Sequence, residues 1–237
     1  MEILIGNKLV GDGHPAYIIA EAGINHQGDV NIAKELVRLA SINKFDSIKF
    51  QKRNTELYPD APYYSNTFKM ETTYKHHKEL LEFNYEQFAT IVDECMRCEI
   101  DFSVSIWDTD SYEWLKGFWA TTKGLVIPYI KIPSACITNL DMIHYISYNY
   151  DGIVIMSTGM STQEEVDAAV GAISDRNRLI LLHCNSSYPS SNDELNLRCI
   201  SYLKDRYNVL VGYSGHEPGI QASLYAVALG ACVIEKH

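Results

Sequence analysis

The feature that most constrains this chain is an eightfold repeat of short, β-branched apolar runs, each linked to the next by a longer segment with helical periodicity. The runs are Tyr17–Ala20, Ser47–Gln51, Phe102–Ile106, Tyr129–Ile132, Gly152–Met156, Leu179–His183, Val209–Tyr213 and Cys232–Glu235. Most successive starts lie about 25 to 30 residues apart, the length of one strand-plus-helix unit. Most runs are apolar at consecutive positions rather than alternate ones, as parallel strands covered by helices on the outside must be. Eight such units in 237 residues fill one closed barrel, so the expected fold is α/β, a (β/α)8 TIM barrel forming a single domain over residues 1–237.

Local signals agree with this frame. Asp29 precedes a stripe of Ile32, Ala33, Leu36, Val37 and Ala40, and Asn84 with Gln87, like Ser161 with Glu164, has the spacing of a capping box. Pro218 and Gly230 bracket a late helix that runs through Ala228. Ile3 to Val10, followed by Gly11-Asp12-Gly13, reads as an N-terminal β-hairpin plugging the bottom of the barrel. Two stretches break the repeat. Arg53 to Phe83 is too long for an ordinary strand-to-helix loop and is rich in Tyr, His, Lys and Asn, which makes it a lid or substrate loop. Within it Tyr63, Tyr64 and Tyr74 read as loop packing. At the other end the sequence stops at His237 directly after the eighth run, so the eighth outer helix is missing and an apolar flank needs a partner chain or further sequence to cover it.

Composition removes several classes of function. Net charge is −10, from 20 basic and 30 acidic side chains, so the overall field repels polyanions and nucleic acid is excluded as a partner. The longest apolar run, Leu224 to Leu229, is far short of the roughly 18 residues that span a bilayer. No basic start and long apolar block mark a secretory leader, and a cytoplasmic location with no membrane association is expected. Of six cysteines only Cys95 and Cys98 have C-x-x-C spacing, with no second pair nearby, and all six read as reduced thiols.

In a parallel barrel the carboxyl ends of all strands meet at one rim, so polar residues just past each apolar run converge in space. Those positions hold Glu21; Lys49 and Gln51; Ser105; Lys131 and Ser134; Ser157; His183, Ser186 and Tyr188; Ser214 and His216; and Glu235, Lys236 and His237. Lys49 and Lys131 lie within apolar runs whose alternation points them inward. A buried ammonium needs a counter-charge, which is either an anionic ligand cradled by the strand-end serines or the carboxylates of Glu21 and Glu235. His216 and His237, on neighbouring strands, place two imidazoles where one divalent metal would fit, and Mn²⁺ or Zn²⁺ suits such nitrogens. The residues taken alone reach a metal-assisted, anion-binding barrel enzyme and go no further.

The ordered motifs IIAEAGINHQGD (Ile18–Asp29), IKFQK (Ile48–Lys52), KIPS (Lys131–Ser134), STGM (Ser157–Met160), LHCNSSYP (Leu182–Pro189), VGYSGHE (Val211–Glu217) and ALGACVIEKH (Ala228–His237) carry the chain further. Together they make it similar to the sialic acid synthase (N-acetylneuraminate synthase) family from about Gly11 to His237. The resemblance implies condensation of phosphoenolpyruvate with N-acetylmannosamine, or its 6-phosphate, to a sialic acid or its 9-phosphate plus phosphate. It implies that Lys49, Ser105, Lys131, Ser134, Ser157, Ser186 and Ser214 hold phosphoenolpyruvate, and that Gln51 and Tyr188 contact the amino sugar. Glu21 would face the reacting centre, Glu235 lies in the same motif as His237, and His216 and His237 would bind Mn²⁺ or another divalent cation such as Mg²⁺ or Co²⁺. A homodimer is also implied. The stretch from Thr73 to Phe83 looks like the animal-type branch, some members of which take the sugar 6-phosphate. Arg53, Lys75, His76, His77 and Lys78 are candidates for such a phosphate but read as solvated loop charges. Three points depart from the family pattern: Cys136 stands where an acidic residue is frequent, no antifreeze-like C-terminal domain follows the barrel, and His237 carries the terminal carboxylate. The alternatives are a synthase of a related diacetamido nonulosonate, a Schiff-base aldolase using Lys49 or Lys131, and a truncated non-catalytic homologue that binds an anion or partner chain.

Overall fold

A computed structural model of the chain describes residues 1–122 and 125–237. Its elements run in the order β1 (Glu2–Ile5), β2 (Lys8–Gly11), β3 (Tyr17–Gly23), α1 (Val30–Ile42), β4 (Ser47–Lys52), β5 (Pro62–Ser65), β6 (Met70–Thr73), α2 (Tyr74–Glu79), α3 (Tyr85–Arg97), β7 (Asp101–Ile106), α4 (Thr109–Thr121), β8 (Tyr129–Ile132), α5 (Leu140–Asn149), β9 (Ile153–Ser157), α6 (Gln163–Gly171), β10 (Leu179–Cys184), α7 (Cys199–Tyr207), β11 (Leu210–Gly215), α8 (Gln221–Ala228) and β12 (Val233–Lys236). Strands β3, β4, β7, β8, β9, β10, β11 and β12 close into one barrel in chain order, every neighbour parallel. The (β/α)8 barrel is therefore confirmed, and each expected strand is found within three residues of its limits. Among the described residues no helix is long and apolar enough to cross a membrane.

Two apolar clusters hold the barrel together. The larger packs the outward faces of the strands against the helices, with Val37, Phe88, Ile91, Phe102, Leu115, Ile143 and Ala169 among its buried members. The smaller fills the lower end of the barrel interior with Tyr17, Ile19, Tyr129, Ile155, Ile180, Leu182, Leu210 and Val233. Ile5 and Val10, from the β1–β2 hairpin, belong to it and are almost fully buried. The hairpin is thus the expected plug, turning at Gly6 with a positive φ of 55°.

Local expectations need small corrections. The capping box at Asn84 and Gln87 is present, but the second one is formed by Thr162 and Glu165, one residue beyond Ser161 and Glu164. Ser161 instead donates to the Gly159 carbonyl at 2.9 Å. Helix α8 begins at Gln221, three residues after Pro218, because Gly219 lies in the left-handed region at φ 83°. The segment from Arg53 to Phe83 has structure of its own, an antiparallel β5–β6 hairpin and the short helix α2. Tyr63 and Tyr74 pack within it, ring centroids 5.2 Å apart, whereas Tyr64 is exposed. No helix follows β12 among the described residues, and between α1 and β12 a cleft of about 210 Å³ is lined by Leu36, Leu39, Ala40, Phe45 and Ile48.

Candidate active site

The carboxyl ends of the barrel strands surround a cavity of about 260 Å³. Every residue to which the family resemblance gave a role lines it, namely Glu21, Lys49, Gln51, Ser105, Lys131, Ser134, Ser157, Ser186, Tyr188, Ser214, His216, Glu235 and His237, whereas Lys236 of the same rim set turns away to Glu217, 2.8 Å from Oε1. Strand parity is the reason. Residues Ile19, Ser47, Tyr129, Ile155, Leu182 and Val233 point into the lower interior, and two positions further along the same strands stand Glu21, Lys49, Lys131, Ser157, Cys184 and Glu235.

At the centre lie four buried charges. Lys49 donates to Glu21 and to Ser105 Oγ at 2.7 Å, and its Nζ stands 3.5 Å from Glu235 Oε2. Lys131 meets both oxygens of Glu235, at 2.9 and 2.8 Å, and Ser214 donates to Glu235 Oε1 at 2.9 Å. Of the two kinds of counter-charge open to the lysines, carboxylates stand within reach of both ammonium groups, Glu21 and Glu235 at Lys49 and Glu235 at Lys131. Burial acts to lower the pKa of Lys49, yet the nearby Glu21 and Glu235 carboxylates outweigh it and raise the value. Lys131 goes the other way, because burial and the Lys49 charge together exceed the pull of Glu235. Burial opposes ionisation of Glu235, but the two lysines hold its pKa well below the usual carboxylate range.

The serines divide by what they touch. Ser105 and Ser214 serve the charged groups, and Ser134 Oγ accepts from the Gly159 amide at 3.0 Å. Ser157 Oγ is buried with no hydrogen-bond partner, a donor held ready at the cavity wall. Gly23, at φ 54° beside a bulge in β3, gives Glu21 its room. A Cβ there would lie 2.9 Å from Glu21 Oε1 and 3.2 Å from Gln51 Nε2.

His216 and His237 come together, ring centroids 5.2 Å apart, with Tyr188 stacked on His216 at 3.9 Å. His216 Nδ1 donates to the Asn185 carbonyl at 2.5 Å, which leaves the lone pair on Nε2, where the Tyr188 hydroxyl donates at 2.8 Å. Fixing one ring nitrogen on a backbone carbonyl is how metal-binding histidines are oriented. Burial depresses the pKa of both imidazoles, favouring the neutral, ligating form. Among the described residues no group of three or more His, Cys, Asp and Glu side chains is placed to hold a metal ion, so His216 and His237 stand as a pair of candidate ligands by themselves.

Several residues were misplaced or missed. His183 lies outside the central cavity: it is one residue out of parity, and its Nε2 donates to the Leu195 carbonyl at 2.6 Å. Cys184, in parity with Leu182, lines the cavity instead, 3.8 Å from Ser134 Oγ. Trp107 is reached by the same count from Ser103 and Ser105, and Met160 and Pro133 complete the wall. Arg53 and His77, read as solvated, are buried: His77 packs inside the insertion against Tyr63 and Phe68, and the Arg53 guanidinium lies over the Trp107 ring. Cys136 Sγ donates to the Trp107 carbonyl at 3.3 Å and does not line the cavity. All six cysteines are free thiols.

Sequence and structure comparisons point to a single family. Residues 36–237 match the NeuB family. The chain is 36% identical over 229 residues to the N,N'-diacetyllegionaminic acid synthase of Campylobacter jejuni, covering 93% of this chain and 66% of that protein. It is also 36% identical over 242 residues to the N-acetylneuraminate-9-phosphate synthase of Drosophila melanogaster, covering 99% of this chain and 62% of the relative. It therefore spans slightly less than two-thirds of the length of these curated relatives. Among solved structures, the N-acetylneuraminic acid synthetase of Leptospira borgpetersenii superposes with a TM-score of 0.85 at 34% identity, over 100% of this chain and 78% of the other. With the barrel, the cavity at its carboxyl rim and a family match over most of its length, the chain belongs to the NeuB family, whose relatives here are sialic acid and related nonulosonate synthases.

Proposed function

We propose that the chain is the catalytic barrel of a synthase that joins phosphoenolpyruvate to an N-acylmannosamine, N-acetylmannosamine or its 6-phosphate, and releases a nine-carbon 2-keto acid and inorganic phosphate. The observation that carries this reading is the ring of two lysines, two carboxylates and unpartnered or lightly used serine hydroxyls around one cavity.

Phosphoenolpyruvate would enter between Lys49 and Lys131, its phosphate and carboxylate oxygens taking hydrogen bonds from Ser105, Ser134, Ser157, Ser186 and Ser214. The enolic carbon attacks the aldehyde carbon of the open-chain sugar, forming the new C–C bond as the carbonyl π pair moves to the aldehyde oxygen, which takes up a proton to become a hydroxyl. Water adds to the cationic carbon left behind; the C–O bond to phosphate then breaks with both electrons leaving on the phosphate, and the hydroxyl on the same carbon gives up its remaining proton to form the 2-keto group. Glu21 is assigned the proton transfer, its carboxylate taking the proton of the added water. Glu235 keeps the two ammonium groups at their posts. Gln51 and Tyr188 face the sugar. His216 and His237 would hold Mn²⁺ or another divalent ion such as Mg²⁺ or Co²⁺, which supplies Lewis-acid polarisation of the aldehyde oxygen. Two lysines and two carboxylates sum to zero, so a bound phosphate ester would have to displace a carboxylate from Lys49 or Lys131 or bring its own counter-charge.

Of the two lysines open to a Schiff-base route, Lys49 is disfavoured because Glu21 and Glu235 raise the pKa of its amine, while burial lowers that of Lys131, so borohydride trapping of a substrate adduct on Lys131 is the result that would support the route. The diacetamido acceptor stays a second reading, because the two curated relatives above, with different products in their names, are equally similar at 36%. The test is to supply metal-loaded protein with phosphoenolpyruvate and, separately, N-acetylmannosamine, its 6-phosphate and a 2,4-diacetamido hexose, and to measure phosphate and nonulosonate by mass spectrometry. Turnover with one acceptor is expected. Phosphoenolpyruvate binding without phosphate release from any acceptor would overturn the reading in favour of a non-catalytic anion binder.

A further inference from the structure

Arg53 is a buried cation that the proposed chemistry leaves unused. It is 3% exposed, lies at the start of the 53–83 insertion, and its guanidinium stacks over the Trp107 ring at 4.7 Å. Nη1 is 3.7 Å from Glu82, near the other end of the insertion, and Lys52 meets the same carboxylate at 3.0 Å. Nη2 donates to Gln51 Oε1, while Gln51 Nε2 donates to Glu21 Oε1 at 2.8 Å. A side-chain amide has two ends of nearly equal size, so shape alone does not choose between its orientations. Hydrogen-bonding chemistry does. A guanidinium only donates and takes the oxygen end, and a carboxylate only accepts and takes the nitrogen end.

We infer that Arg53 is a positioning residue that locks the Gln51 amide with its nitrogen toward Glu21, so that the free donor Gln51 offers the cavity is its second N–H. The site then favours an oxygen acceptor on the sugar at this point, a hydroxyl or acyl carbonyl. The insertion that carries Arg53 and Glu82 is thereby linked to the proton-transfer carboxylate through one amide. This assignment of the sugar rests on the function proposed above, whereas the locking itself does not.

Two measurements separate them. In the intact chain labelled with ¹⁵N at glutamine, the Gln51 side-chain protons, assigned by their loss in Gln51→Met, should be resolved and slow to exchange with solvent. In Arg53→Met that protection should fall at least tenfold. Unchanged protection overturns the inference, whether or not the protein turns over. In kinetics, Arg53→Met and Gln51→Met should each lower kcat/KM for the acceptor about tenfold, the effect of one charged hydrogen bond, with KM for phosphoenolpyruvate within about twofold. The double variant should be no worse than Gln51→Met alone. Independent, multiplying losses would assign Arg53 a merely structural role and overturn the proposal. If Arg53→Met fails to fold, Arg53→Lys takes its place in the same cycle, keeping a charge beside Glu82 while losing the flat stacked fork. Absence of wild-type turnover with the amide protected would fault the proposed reaction and leave the positioning role standing.

Discussion

The two ends of the barrel interior are built from the same strands, one side-chain step apart, and solve burial in opposite ways. At the closed end, Ser47 and the Tyr129 hydroxyl bond each other at 2.8 Å and Ser103 donates to the Tyr129 carbonyl at 2.6 Å, all within an apolar plug. Two residues along, Ser47 gives way to Lys49, Ser103 to Ser105 and Tyr129 to Lys131, and the pairing is between full charges beside a cavity. Neutral hydroxyls satisfy one another and need no visitor. Charged pairs cost more to bury than hydrophobic packing of the same volume, so their placement here is better explained by ligand handling than by stability.

The largest expected effect comes from breaking a charged pair. Lys131→Met leaves Glu235 with only the 3.5 Å approach of Lys49 and the Ser214 hydroxyl, and should cost about 3 kcal/mol in chemical denaturation while abolishing phosphoenolpyruvate binding. Lys131→Met combined with Glu235→Gln should recover most of the stability and none of the binding, which separates the two ends cleanly. Recovery of both would erase the distinction. At the closed end, Ile5→Ala should cost about 2–4 kcal/mol through the cavity it leaves, with phosphoenolpyruvate affinity unchanged by calorimetry.

Acid provides a gentler probe. His26, on the loop after β3, packs against the Phe83 ring at 4.2 Å and accepts from the Gly28 amide through Nδ1 at 3.1 Å. Burial lowers its pKa from 6.5 to about 4. The unfolded chain therefore binds the proton first, so this stability is fully present above pH 6.5 and is lost as pH falls toward 4, up to about 3 kcal/mol. At the closed end Asp101 has the opposite sense. Its carboxyl, which accepts from Tyr17 at 2.7 Å, is pushed above its usual value by burial, so acidification there relieves a penalty. His26→Phe should flatten the acid limb of a stability-versus-pH curve, and an unaltered limb would remove His26 from the account.

How much of this was legible in the sequence follows from periodicity. Runs of β-branched residues at unit spacing specify the barrel, and a period of two places Lys49 and Lys131 inward without any coordinates. The same count, carried one position further, separates Cys184 from His183, and Trp107 falls out of the Ser103–Ser105 alternation. What periodicity does not carry is the choice of partner. Whether Lys131 faces Glu235 or a ligand depends on the positions of strands β8 and β12 across the barrel, 104 residues apart in sequence. The burial of Arg53 depends on how the insertion folds back, and its mixture of Tyr, His and Lys has no single period to read.

The most direct measurement of the central claim is a crystal structure of the protein soaked with Mn²⁺ and phosphoenolpyruvate. The account predicts the phosphate and carboxylate of the ligand between Lys49 and Lys131, within hydrogen-bonding reach of the rim serines, with the metal on His216 and His237. Ligand density elsewhere, with both lysines still closed on Glu21 and Glu235, would contradict it.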